Sequence, residues 1–334
     1  MYKGIIYFLF AFIIVFLPYL VSHLLLSIPS FLFVIGTVVT LLFIAFSFSD
    51  MGEAAGFVFG RDREISRGKY LKLSHLYSAV GDYALYCGLL GTIIGFERMW
   101  HTFQYPTTIP PEIAASFVTL LYGITVKLLA ILAQRKLELC RVTDESYEMK
   151  PRKQLRSLII GGILFILIVV PAIIQYGSMH SFINFYAVLF ILGGSLFVAL
   201  LFVPGAEITD SFKATFSSCE VTGGRAKKAI GVFTRFNDVV VSLAIIAAVG
   251  ETIVRIRTVS DLSALGPGLA ELQLVIYYGI IFICFIRGLF CIAQRRLAGM
   301  GEQSDERPVF NANAVILLGL AGFIIFVIVL VFSV

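Results

Sequence analysis

Nine apolar runs, each close to the roughly 20 residues that cross the hydrocarbon core of a bilayer, follow one another along this chain. They lie near Ile5 to Leu24, Phe31 to Phe48, Tyr77 to Phe96, Ile113 to Ala133, Leu158 to Gln175, Asn184 to Val203, Phe236 to Val254, Leu272 to Ala293 and Ala314 to Phe332. In lipid every backbone N–H and C=O must find a partner within its own segment or a closed barrel, so runs of this length read as transmembrane helices. The expected class is therefore an all-α integral membrane protein of about nine spans. Of the 334 residues 59% are hydrophobic and only 14% charged, whereas a soluble domain is about a quarter charged. Soluble enzyme, secreted disulfide scaffold and disordered chain are excluded.

The net charge of +5 sits in short segments between the apolar runs. That placement marks cytoplasmic membrane loops, and no nucleic-acid partner is expected. Arg61, Arg63, Arg67, Lys69 and Lys72 follow the second span, and Arg135, Lys136, Arg141, Lys150, Arg152, Lys153 and Arg156 the fourth. Arg225, Lys227, Lys228 and Arg235 follow the sixth, and Arg295, Arg296 and Arg307 the eighth. Even loops are thus expected inside, with a cytoplasmic N-terminus and Val334 outside. Lys3 precedes the first span and no small-residue cleavage site follows it, which reads as an anchor. The five cysteines show no Cys-x-x-Cys spacing, and His23, His75, His101 and His180 are far apart. No disulfide framework, metal site or cofactor follows. Without a phosphate loop, nucleophile elbow or paired catalytic carboxylates, an enzyme is not expected.

Self-comparison shows an internal repeat. The segment from Lys127 to Leu137, with Ala133-Gln134-Arg135, matches that from Arg287 to Leu297, with Ala293-Gln294-Arg295. Upstream, Tyr122-Gly123 matches Tyr278-Gly279 and Asp82 matches Asp238, both 156 positions apart, while the Ala-Gln-Arg segments are 160 apart. The second copy has gained four residues, about one helical turn. Residues 1–156 and 157–308 are read as two parallel four-helix repeats, related by an axis along the membrane normal, and 309–334 as a further transmembrane helix.

These residues resemble a known family. Gly88-Leu-Leu-Gly91-Thr92-Ile-Ile-Gly95 is similar to the third-helix signature of the MotA, TolQ and ExbB proton-channel family. Ile28-Pro29-Ser30 with Gly36-Thr37, and Gly193-Gly194-Ser195 with Pro204, resemble the second helix of MotA, and the stretch from Asp261 to Gly268 with Tyr278-Gly279 resembles the approach to its fourth. The resemblance implies a subunit of a proton channel or ion-driven motor in a bacterial inner membrane. It implies a homo-oligomer and a single-helix partner of the MotB, ExbD or TolR kind bearing the protonatable aspartate. The large cytoplasmic insertion of MotA is missing, since the loops after spans two and six are only about thirty residues long. The second copy looks degenerate, with Ile246-Ala247 in place of Gly91-Thr92 and only Gly250 retained. A non-conducting scaffold derived from the same fold is the alternative.

Candidate site residues each carry two readings. Thr92 and Thr119 are pore residues by resemblance, or hydroxyls bonded to the backbone carbonyl one turn back. Gly88, Gly91 and Gly95, with Gly123, Gly250 and Gly279, are expected where helix backbones approach closely. Lys127 and Arg287 either extend toward the headgroups or neutralise Asp82 and Asp238 on neighbouring helices.

Overall fold

The computed structural model describes residues 27–60, 64–101, 109–143, 154–176, 182–216, 223–258 and 265–299. The first and ninth expected spans lie outside these residues. The elements are α1 (Ile28–Ala45), α2 (Phe48–Phe59), β1 (Glu64–Ser66), α3 (Arg67–His101), α4 (Ile109–Glu138) and β2 (Arg141–Thr143). Then come α5 (Gln154–Tyr176), α6 (Phe185–Phe202), α7 (Gly205–Phe216), α8 (Gly223–Thr258) and α9 (Leu265–Gly299). Seven of the described helices, all but α2 and α7, are long and apolar enough to cross a membrane. The chain is a multi-pass, all-helical membrane protein whose β1 and β2 add a short parallel pair, Ile65 opposite Val142.

Local chemistry sets the helix ends. Ser27 accepts a bond from the Ser30 N–H and caps α1, with Pro29 in the first turn where its missing N–H costs nothing. The chain turns extended at Phe46, and Ser47 and Asp50 then form a reciprocal capping box that starts α2. The stretches expected as simple loops after spans two and six therefore hold 12-residue helices, α2 and α7. Both belong to the charged end of the bundle.

The bundle is built around α3 and α9, its two most buried spans. α3 packs on α4, α9 and α1, whereas α9 packs on α8, α3 and α1, and α5 lies along α1. Gly161 brings α5 close to Ile44 and the Thr40 carbonyl, and the Ser157 hydroxyl donates to the Ile44 carbonyl at 2.9 Å. The outward faces of α4, α5, α6 and α8 carry Ile124, Ile163, Phe197 and Ile246, suited to lipid.

Helix lengths run in one order twice, 18, 12, 35 and 30 residues for α1 to α4 and 18, 12, 36 and 35 for α6 to α9. The contacts run in parallel too. The backbone N–H of the cap residue Ser27 donates to the Tyr122 hydroxyl at 3.3 Å, and that of the cap residue Asn184 donates to the Tyr278 hydroxyl at 3.2 Å. At the other end the Lys136 ammonium donates to the carbonyls of Phe57, Val58 and Gly60 that end α2, and Arg296 donates to the Ala214 carbonyl in α7 at 2.6 Å. A cationic side chain on those carbonyls answers the partial negative charge of a helix C-terminus. The four additional residues of the second half are taken up in α9 without a break in the helix.

Candidate functional site

The Arg287 guanidinium is fully buried and lies 2.9 Å from the Asp82 carboxylate, while also donating to the Ser78 hydroxyl at 3.1 Å. Burial of one charge in a membrane interior demands the other, and this pair joins α9 to α3 across the two halves. The neighbouring-helix pairing of Arg287 with Asp238 does not form. Asp238 is exposed on α8, at the edge of a groove of about 390 Å³ with Arg235 and Phe236, and has no ion pair among the described residues. Lys127 lays its stem against Gly81, next to Asp82, and its charge acts on the same carboxylate.

Thr92 is buried, and its hydroxyl reaches the Gly88 carbonyl at 2.8 Å and the Ser116 carbonyl on α4 at 3.1 Å. Its hydrogen thus goes to backbone acceptors, one of them a turn back. Thr119 is buried too, with its methyl against Gly91 and its side chain on a cleft of about 110 Å³. Ser27, Ser30, Glu112, Ser116 and Gln175 are the other polar groups of that cleft, which opens near the start of α1, and α5 helps to close it through Ala172. The walls are otherwise mostly apolar, and these few polar groups give partners to a small number of waters. Thr92 does not line it.

Close approach explains most of the glycines. A Cβ on Gly88 would meet the Gly123 Cα at 3.1 Å, one on Gly95 would overlap Ser116, and one on Gly123 would overlap the Ala84 carbonyl. Gly279 has its counterpart contact with Ala244, whose Cβ lies 2.9 Å from where a Gly279 Cβ would stand. Since 156 positions separate Gly88 from Ala244 as they separate Gly123 from Gly279, Gly91-Thr92 corresponds to Ala247-Ala248 rather than to Ile246-Ala247. Gly95 corresponds to Glu251, not Gly250. A slip of one residue turns a helix position by about 100°, and Gly250 indeed meets nothing within 4 Å among the described residues.

The second half carries a matching cleft. It is wider, about 700 Å³, with Asn184, Ala187, Ala247, Glu251 and Val275 where the first has Ser27, Ser30, Gly91, Gly95 and Thr119. Ala187 and Val275 thus offer no hydroxyl where the first cleft has those of Ser30 and Thr119.

A second charged cluster was hidden from sequence reading because its members come from three helices. Asp50 at the start of α2 meets Lys72 of α3 at 3.0 Å and Arg295 of α9 at 3.0 Å, and Lys72 also meets Glu53. Arg295 donates as well to the Ala45 carbonyl at 2.7 Å. Burial alone would raise the Asp50 carboxyl, but the Ser47 N–H, Arg295 and Lys72 together hold it below its ordinary value. The Ser47-x-x-Asp50 capping pattern was the available signal for half of this cluster; its cationic partners had none.

No curated protein and no solved structure matches the chain. Residues 63–150, which hold α3, α4 and both strands, match the MotA/TolQ/ExbB proton channel family, a family of channels rather than catalysts.

Proposed function

We propose that this chain is a MotA-like subunit of an ion channel or ion-driven motor, built from two tandem four-helix units with nine spans in all. The observation that carries the reading is the family-matched α3–α4 pair with the small cleft beside it, which Thr119, Ser116 and Glu112 edge. In this reading the N-terminus and basic loops face the cytoplasm of a bacterial inner membrane. A single-helix partner supplies the carboxylate that takes up a proton from the outer side. Thr119 lines the entry, and Thr92 positions α4 by holding its Ser116 carbonyl. The amphipathic helices α2 and α7, with their short connections, replace any large cytoplasmic arm.

The second reading, a scaffold that conducts nothing, is favoured by one observation: the Thr37, Thr40, Thr92 and Ser195 hydroxyls all donate to backbone carbonyls. Proton flux into liposomes holding the chain and its candidate partner decides between the two. The channel reading expects flux that falls sharply in Thr119→Val, a shape-preserving loss of one hydroxyl at the cleft. Absence of flux in the wild-type complex, or flux unchanged in Thr119→Val, supports the scaffold.

A further inference from the structure

The two halves of the chain meet through unlike surfaces. α9 of the second half sits on α3 and α1 of the first and reaches α2 through the Arg295–Asp50 pair, but α4 of the first makes no comparable contact with α8, α6 or α7 of the second. A contact between equivalent units that is not reciprocated is head-to-tail, and leaves one of each surface unused at the two ends. Those unused surfaces are α4 and the α7–α8 face.

The residues at both surfaces bear this out. α9 meets the first half through Cys284, Arg287, Gly288, Cys291 and Arg295, all buried. Their counterparts 160 positions earlier are Ile124, Lys127, Leu128, Ile131 and Arg135, of which Lys127 is half-buried and the others are exposed. On the receiving side Asp82, Tyr83 and Tyr86 lie under or beside α9, the last two fully buried. Their counterparts on α8 are Asp238, Val239 and Ser242, of which Asp238 and Ser242 are exposed and Val239 half-buried.

Charge completes the match. Within the chain Arg287 pairs with Asp82 and Arg295 with Asp50. The corresponding cations on the unused α4 are Lys127 and Arg135, and the corresponding acids on the unused face are Asp238 and Glu207, the latter third in α7 as Asp50 is third in α2. Both acids are exposed and neither has an ion pair among the described residues. The groove of about 390 Å³ beside Asp238 is walled by Asp238 and Val239, the counterparts of Asp82 and Tyr83 under α9, together with Arg235 and Phe202.

We infer that the occupant of the α7–α8 face is α4 of a second copy of this chain, with Lys127 against Asp238 and Arg135 against Glu207 across the contact. This rests on the equivalence of the two halves and is independent of whether the complex conducts ions. Repetition of the same contact extends or closes a row in which every seat is filled as α9 fills its own.

The test uses the full-length protein in lipid nanodiscs and membranes, with p-benzoylphenylalanine in place of Ser242. Photolysis should link chains, and the linked peptide should come from α4. Arg135→Glu or Glu207→Arg alone should lower the linked fraction several-fold, and the two together should restore it. Arg135 and Glu207 are exposed, so these reversals leave the fold in place, which an unchanged melting profile verifies. Lys127→Asp with Asp238→Lys gives a second, independent reversal. Crosslinks to lipid alone, to residues 309–334 of the same chain, or to any surface other than α4 would overturn the inference, as would reversal pairs that fail to restore it. Flux measurements are separate, so loss of the channel reading leaves this result standing.

Discussion

The hydroxyl of Tyr122 and the missing side chain of Gly91 show what single residues hold here. Tyr122→Phe removes the acceptor for the Ser27 N–H without disturbing the ring, which keeps its edge contact with Phe31. A loss of about 1 kcal/mol is expected, read as a lowered midpoint of unfolding in detergent, and Tyr278→Phe should lose at least as much, since its hydroxyl both accepts from the Asn184 N–H and donates to the Phe182 carbonyl. A Cβ on Gly91 would overlap the Thr119 methyl and press on the Phe33 ring, whereas at Gly250 it would meet open space. Gly91→Ala should therefore cost about 1–3 kcal/mol of overpacking, and Gly250→Ala next to nothing. Equal losses at the two sites would show that the close α3–α4 contact is wrong. The repeated Tyr-Gly pair was legible in the sequence as a correspondence, but its work was not, because the cap that the tyrosine serves lies 95 residues away. Gly250 misled for the converse reason: identity of residue type concealed a slip of one position, and only the contact of Gly279 with Ala244 fixes the register.

Among the elements, the long apolar helices were legible because a run that must satisfy its own backbone in lipid has no other choice. The amphipathic helices α2 and α7 were not, since their composition reads as loop and each is held by groups distant in sequence. Lys136 supplies the last carbonyls of α2, so Lys136→Met keeps most of the stem while leaving three carbonyls without their cation. Faster hydrogen exchange confined to residues 48–60 is the expected outcome, and uniform acceleration through α3 and α4 would contradict it. At the other end of α2, Asp50 ties three helices together. Because its folded carboxyl lies below the ordinary value, its contribution is complete above the unfolded value of about 3.9 and is lost as the pH falls through the lower folded one. Asp50→Asn should thus destabilise the protein by about 3 kcal/mol at neutral pH, and the gap from wild type should narrow only below about pH 4. A gap that stays constant between pH 7 and pH 3 would mean that the charge of Asp50 is not what binds Lys72 and Arg295.

For the whole molecule, the union of the halves depends on a charge pair whose members sequence reading named on neighbouring helices and the fold places across the two halves. Both residues were visible as repeated intramembrane charges, but nothing in a linear pattern says whether the α9 cation turns to α8 or to α3. Arg287 is fully buried, with Asp82 and Ser78 before it and the Phe290 ring 4.9 Å from its guanidinium carbon. Removing one partner of such a pair strands the other and costs about 3–5 kcal/mol, while replacing both with apolar groups of similar size is often neutral. Residues 1–150 and 151–334 expressed as two separate polypeptides should therefore copurify, since α9 on α3 and α5 on α1 supply extensive contact between them. Arg287→Met in the second piece should weaken that copurification strongly, as should Asp82→Leu in the first, and the two together should recover much of it. Lys127→Met alone should not, because Lys127 lies in the same piece as Asp82 and crosses no boundary. If Arg287→Met leaves the pieces bound as in wild type, the halves are held by apolar packing and the buried pair serves something other than their union.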